Sequence, residues 1–257
     1  MRSEPFEWFA RAGFVARGVI YVVLGILAFG LALGIGGRPA SQQGALQAIA
    51  QHSLGGSLLI LVAAGLAGYS VWRLTRAGLG HGPEGADSGA ERVVALASGL
   101  AYAGLCAIAI EILLGRGSES GSPRKPTAGV LGWPGGTWIV GVTGGVLVCV
   151  GLYQGYRGTS RDFLDDSKTE RMGHAVKTWI TWIGTFGYLA RMVVFGLVGV
   201  FLVKAAVDFA PSKAVGVDGA LAKVAHASYG PVLLGIVAAG LVAFGVFSLS
   251  DAGYHRI

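Results

Sequence analysis

Long apolar runs separated by short polar joints set the pattern of this chain. Six runs are long enough to cross a bilayer, with bounds good to about three residues. They are Phe14–Gly34, Leu54–Trp72, Val93–Gly115, Thr137–Tyr156, Trp179–Ala206 and Pro231–Leu249. At 1.5 Å per residue, a helix of about twenty residues covers a hydrocarbon core roughly 30 Å thick. The runs are apolar on every face. That excludes a membrane barrel, whose strands alternate apolar and polar positions over about ten residues.

The runs also repeat. Residues 16–34, ARGVIYVVLGILAFGLALG, recur at 97–115 as ASGLAYAGLCAIAIEILLG, a shift of 81. They recur again at 190–202 as ARMVVFGLVGVFL, a shift of 174. Trp8, Arg17, Tyr21 and Gly25 thereby fall on Trp182, Arg191, Phe195 and Gly199. A second apolar helix follows each copy: Leu58–Trp72 matches Leu233–Phe247, and the middle copy ends GLYQGYR. All three close on an aromatic, Trp72, Tyr153 or Phe247, as belt residues at a membrane interface do. Between the helices of the outer units, GALQAIAQ and GALAKVA match at a shift of 175 and predict short surface helices. The predicted fold is an all-α membrane protein, six transmembrane helices forming three pseudo-threefold-related helix-pair repeats. We expect one integral membrane domain over 1–257, with units at about 6–80, 88–160 and 177–257.

Composition agrees with this reading. The chain is 53% hydrophobic and 13% charged, with mean hydropathy +0.62, whereas a soluble domain is about 25% charged. A water-soluble globular protein is thereby excluded. Its 44 glycines, spread along the apolar runs, let helix backbones approach closely inside a bilayer. Cys106 and Cys149 lie in apolar stretches without a CxxC and read as inert small residues. The N-terminal segment mixes acids and aromatics with its basic residues, and the first run reads as a retained span rather than a removed signal peptide.

Connections on the side of the termini carry twelve basic residues and those on the other side seven. The positive-inside rule then puts both termini in the cytoplasm. The net charge of +6 is interleaved with acids, which suits an anionic lipid surface better than nucleic acid.

The pattern RAGFVARGVIYVVLGILA, followed by LLILVAAGLAGYSVW and present three times, resembles a bacterial membrane family known as a domain of unknown function. Such proteins carry three tandem two-helix copies. The resemblance spans nearly the whole chain and is most faithful in the first and third copies; the middle copy departs at Ser98, where the others have arginine. It implies an inner-membrane protein and supplies no catalytic residue.

Arg17 and Arg191 occupy one repeat position and are expected near the cytoplasmic boundary. They either snorkel or bind linker carboxylates such as Glu91 or Asp162, or, with Arg92 and Arg157, they form a pocket for an anion or lipid headgroup. Glu111 and Lys204 share the repeat position of Gly30 and are expected to form an intramembrane ion pair; Arg116 and Asp208 are competing partners. His52 and His226 precede second helices and read as capping or interfacial residues. No metal or cofactor is expected. GxSxG and GxxxxGK[ST] are absent, so no enzyme class is indicated. Parallel repeats about an axis normal to the membrane are one of the transporter symmetries. The leading expectation is a small-solute permease-like or channel-like bundle, lined by Tyr21, Tyr102 and Phe195. The alternative is a structural or accessory membrane protein that binds lipid or a partner without transport.

Overall fold

The computed structural model describes residues 4–35, 39–79, 89–116, 129–164, 174–210 and 213–254. The linkers between repeat units and the side chain of Glu91 lie outside the described residues. In chain order the helices are α1 (Glu4–Ala32), α2 (Gln42–Ala50), α3 (Gly55–Leu79), α4 (Gly89–Leu113), α5 (Gly136–Ser160), α6 (His174–Val207), α7 (Val217–Ala225) and α8 (Gly230–Tyr254). A 3₁₀ turn spans Asp162–Leu164, and no strand occurs among the described residues. Six of these helices, α1, α3, α4, α5, α6 and α8, are long and apolar enough to cross a membrane. The protein is a multi-pass membrane bundle of three helix pairs, with α2 and α7 as the short helices expected between the spans of the outer units.

The repeat reaches into the turns. Each second helix is 25 residues long and starts on an equivalent glycine: Gly55, Gly136 or Gly230. Each of those N–H groups donates to the carbonyl three residues back, at 2.8, 2.9 and 2.8 Å. A Cβ at these glycines would overlap the carbonyl oxygens of Ile49 and Ala50, of Val130, and of Val224. The first helices end alike. Ile35, Arg116 and Ala210 donate back to Gly30, Glu111 and Ala205, and the preceding residue takes a left-handed φ of 71°, 73° or 50°. Gly34 and Gly115 adopt that conformation freely; Phe209 does so at a cost of about 1 kcal/mol.

The spans pack as neighbours in the order α4, α3, α1, α8, α6, α5, and each neighbouring pair is in extensive contact. Between units, three equivalent close crossings recur. A Cβ on Gly25 would lie 2.9 Å from the Ala238 carbonyl oxygen, and one on Gly199 would lie 2.6 Å from that of Gly144. At the third crossing Cys106 replaces the glycine and its thiol donates to the Ala63 carbonyl at 3.4 Å. Two turns away, Ser70 donates to the Gly99 carbonyl at 2.8 Å, where α8 presents Gly245 against Gly18.

Within units the symmetry fails. In unit one, Gly13 packs on Tyr69 and Gly65 packs on Ala16; in unit three, Gly187 packs on Phe244 and Gly240 on Ala190. The corresponding residues of unit two are Val94 and Val150, and Val146 and Ala97. Valine at a glycine crossing holds the backbones apart, since small residues are what permit close approach. Accordingly α4 and α5 share no extended contact, and the ring of six spans is open between them. Ala16 and Ala190 are buried, whereas Ala97 is exposed and Val146 is 52% exposed.

The interior is filled. Ile20, Leu24, Leu66, Leu234, Leu241 and Phe244 are all fully buried in one continuous apolar cluster. A cavity of about 300 Å³ lies at the α5–α6 connection instead, lined by Arg161, Leu164, Lys177, Thr178, Thr181 and Trp182.

Candidate functional site

Each interface between units opposes a first-helix residue to a second-helix residue of its neighbour. Where α1 meets α8, Arg17 donates from Nε to Ser248 Oγ at 3.0 Å. Where α6 meets α5, Arg191 faces Gln154. In the amide orientation that satisfies both groups, the Gln154 oxygen accepts from Nη1 at 3.2 Å and Nη2 at 2.8 Å. Where α4 meets α3, the corresponding positions hold Ser98 and Arg73, and Arg73 stands against α4 at Gly99. The arginine has moved across the interface. At this pair of columns each of the three interfaces carries one guanidinium, Arg17, Arg73 or Arg191; Arg157 stands further along the α5–α6 interface, against Tyr188.

Aromatic rings tie the three together. Arg17 Nη1 donates to the Tyr69 hydroxyl at 3.1 Å, and Arg73 donates to the same oxygen from Nε at 3.1 Å and Nη2 at 2.9 Å. Phe244 is the repeat counterpart of Tyr69. Its ring centroid lies 5.3 Å from the Arg17 guanidinium carbon and 4.4 Å from that of Arg191. The third counterpart, Val150, is at the open side of the ring. Arg17 also lies 4.8 Å from the Phe14 centroid, and Arg191 lies 5.3 and 5.2 Å from those of Tyr21 and Phe195.

Charge is not balanced evenly. Arg17 is buried and pairs with Asp251 through Nη2 at 3.6 Å. Arg73 and Arg191 have no carboxylate within 4 Å among the described residues, and the Arg191 Nε is buried without a hydrogen-bond partner there. Two guanidinium groups on one phenol oxygen sit roughly 6 Å apart, and at an effective dielectric near 20 they repel by about 3 kcal/mol. An anion between them would offset that repulsion through charge-assisted hydrogen bonds, for which the guanidinium fork is suited. Arg17 is about 9 Å inside the start of its apolar span at Arg11, and Arg73 about 3 Å inside the end of its span at Thr75. Arg17 and Arg73 thus lie within two helical turns of the end of the bundle that carries the termini.

Three stretches of the chain, residues 12–80, 93–161 and 186–255, match the family described as Domain of Unknown Function (DUF1206). The chain belongs to this family. Its matched stretches start and finish at the shifts of 81 and 174–175 that relate the copies. An uncharacterised protein of Bacillus subtilis, YxxB, is 30% identical over all of this chain and 95% of its own length. No solved structure matches. The family description assigns no chemistry, so the site rests on the geometry.

Of the residues singled out for an anion or lipid pocket, Arg17 and Arg191 meet at Phe244. Arg157 is close by, its guanidinium 5.7 Å from the centroid of Tyr188, which is itself 5.4 Å from Phe244. Arg92 is exposed on α4, outside this group. Arg17 does not snorkel. It turns inward to Asp251, Ser248 and Tyr69 rather than to Asp162, because these three polar groups satisfy it inside the bundle.

Glu111 and Lys204 are not brought together. Both are exposed, on helices α4 and α6 that are not neighbours, so no ion pair joins them; Asp208 pairs instead with Lys213 at 2.7 Å. The supposed lining residues each pack against a neighbour. Tyr21 meets Phe244 at 4.8 Å, Tyr102 meets Tyr69 at 4.6 Å, and Phe195 lies under Arg191. His52 and His226 are exposed just beyond α2 and α7, where the His226 N–H caps its helix. No group of three or more metal-ligating side chains occurs among the described residues.

Arg73, Tyr69, Ser248 and Asp251 escape a reading confined to the first helices. Aligning the second helices would find them. Arg73, Gln154 and Ser248 share one column, and Asp251 shares another with Arg76 and Arg157.

Proposed function

We propose that the bundle holds an anion, the phosphate of a lipid headgroup, at the guanidinium groups of Arg17, Arg73 and Arg191. In this reading it is a non-enzymatic accessory protein of the inner membrane, with both termini in the cytoplasm. The observation that carries it is that, among the described residues, Arg73 and Arg191 stand in this group with no carboxylate within 4 Å, while Arg17 pairs with Asp251. The depth of the cluster suits a phosphodiester at the hydrocarbon boundary, and the filled interior favours binding over passage.

The test is lipid retention. Protein purified from membranes and analysed by native mass spectrometry should keep phosphatidylglycerol in preference to phosphatidylcholine. Arg73→Gln with Arg191→Gln should lower that retention about tenfold, as loss of two cationic contacts does. Unchanged retention would refute the reading.

A permease-like role is the second reading. Arginines and aromatics gathered at one level, with Tyr21, Tyr102 and Phe195 beside them, favour it. Liposomes that carry the protein and show no flux of anions or small neutral solutes would remove it.

A further inference from the structure

The chain that leaves α5 is held more firmly than a plain connection requires. α5 stops at Ser160, and Arg161 turns the backbone with a φ of 64°, a left-handed conformation that side chains rarely adopt. The Leu164 N–H then closes the 3₁₀ turn on the Arg161 carbonyl at 2.9 Å. Phe163 pins that turn to the bundle. Its ring is buried, stacked on Tyr188 at 5.2 Å and edge-on to Phe247 at 5.2 Å. Gly184 makes the room, since a Cβ there would lie 2.6 Å from the Phe163 ring. The same column holds Ala10 and Glu91 in the other units, so only the third unit has the glycine.

Fixed in this way, Arg161 and Leu164 share the cavity of about 300 Å³ with Lys177, Thr178, Thr181 and Trp182 of α6. That volume is at the small end of ligand pockets. Arg161 and Lys177 are exposed, and neither has a carboxylate within 4 Å among the described residues. No acidic side chain is among the lining residues. Thr181 donates its hydroxyl proton to the Lys177 carbonyl at 2.7 Å, which leaves its oxygen free to accept. Leu164 and Trp182 supply apolar walls. The span of α5 ends at Ser160 and that of α6 begins at Ala175, so the cavity stands at the membrane boundary on the side of the termini.

We propose that this cavity binds a phosphate ester of a polyol, with its phosphate at Arg161 and Lys177, a hydroxyl on Thr181 and its carbon skeleton against Trp182. A guanidinium and an ammonium without acidic partners suit a phosphate, and the hydroxyl acceptor and aromatic wall suit the alcohol that carries it. A lipid headgroup such as that of phosphatidylglycerol and a free ester such as glycerol 3-phosphate present the same chemistry. None of Arg17, Arg73 and Arg191 lines the cavity, so this site is separate from the inner cluster and does not depend on it.

Acylation of Lys177 by an amine-reactive ester, followed by mass spectrometry on the detergent-solubilised full chain, reads the site directly. Lys213, paired with Asp208 beyond the opposite end of α6, is the internal reference. Micelles doped with phosphatidylglycerol should slow acylation of Lys177 about fivefold relative to micelles doped with phosphatidylcholine, roughly what one basic side chain confers at an anionic surface. Lys213 should react equally in both. Arg161→Gln should cut the protection of Lys177 to under about twofold. Arg161→Gly guards against a folding defect: glycine suits the left-handed backbone, so its unfolding midpoint should match or exceed the parent's while protection is lost.

Glycerol 3-phosphate added to phosphatidylcholine micelles separates the two sources. Protection equal to that by phosphatidylglycerol would make the free ester a ligand, and protection by the lipid alone would assign the headgroup; either result supports the site. Equal acylation of Lys177 in all three conditions would overturn it. Protection that survives both Arg161 variants would also overturn it, because diffuse attraction to a charged surface would then suffice. Arg73→Gln with Arg191→Gln should leave Lys177 protected. Lipid retention that depends on Arg73 and Arg191, with Lys177 never protected, would remove this site and leave the inner one standing.

Discussion

The first and third units close on themselves, and the second does not. Gly65 against Ala16, and Gly240 against Ala190, let the two helices of the outer units touch. In the second unit the corresponding residues are Val146 and Ala97; both are exposed, and α4 and α5 share no extended contact. The contacts between units survive in all three places, with Gly25, Cys106 and Gly199 at equivalent crossings. Two kinds of interface have thus been maintained separately. Those between units hold the polar layer, and those within units decide whether the ring is shut. The comparison teaches that a repeat can keep its architecture while one copy gives up the packing that makes it symmetric.

Charge follows the same division. On the closed side Arg17 has Ser248, Tyr69 and Asp251, and removing it deprives a buried carboxylate of its guanidinium. Arg17→Met should cost about 3 kcal/mol, read as a lowered midpoint in denaturant titrations of the detergent-solubilised protein. A change under about 1 kcal/mol would place Arg17 outside the structural core of the bundle.

Transferring the middle unit's residue to the outer ones is a more direct challenge to the packing argument. Gly65→Val and Gly240→Val should each cost about 2 kcal/mol by overpacking, while Val146→Leu, at an exposed site, should stay within about 0.5 kcal/mol. Equal costs at the three sites would mean that the glycines do not set the helix separation. The smallest effect is expected at the outer end of the open side. Glu111 and Lys204 are exposed and separate, so Glu111→Gln should leave the unfolding midpoint within about 0.5 kcal/mol of the parent chain. A loss above about 1 kcal/mol, restored by Lys204→Met, would show an ion pair after all.

Much of this was readable from the residues. Spans, the repeat and even the short helices α2 and α7 follow from apolar length and from the shifts of 81 and 174–175, because burial in lipid demands long apolar runs. What stayed hidden was lateral neighbourhood. The repeat places Arg17, Ser98 and Arg191 at one depth, yet it does not say that each faces column 73, 154 and 248 of the adjacent unit. Seen alone, Ser98 looks like a lost arginine; opposite Arg73 it is an exchange. Glu111 and Lys204 show the converse error. Equal depth and opposite charge implied a contact, but they stand on helices that are not neighbours in the open ring.

That exchange is the central claim, and a swap tests it most directly. Arg73→Ser removes the third guanidinium, Ser98→Arg adds a fourth, and the two together return the arginine to its first-helix position. Phosphatidylglycerol retention, measured by native mass spectrometry on all four chains, should fall several-fold in Arg73→Ser and return to within about twofold of the parent in the double variant, since two adjacent positions that share one role are not additive. If the double variant retains no more lipid than Arg73→Ser alone, position rather than the presence of one guanidinium per interface governs the site, and the account fails.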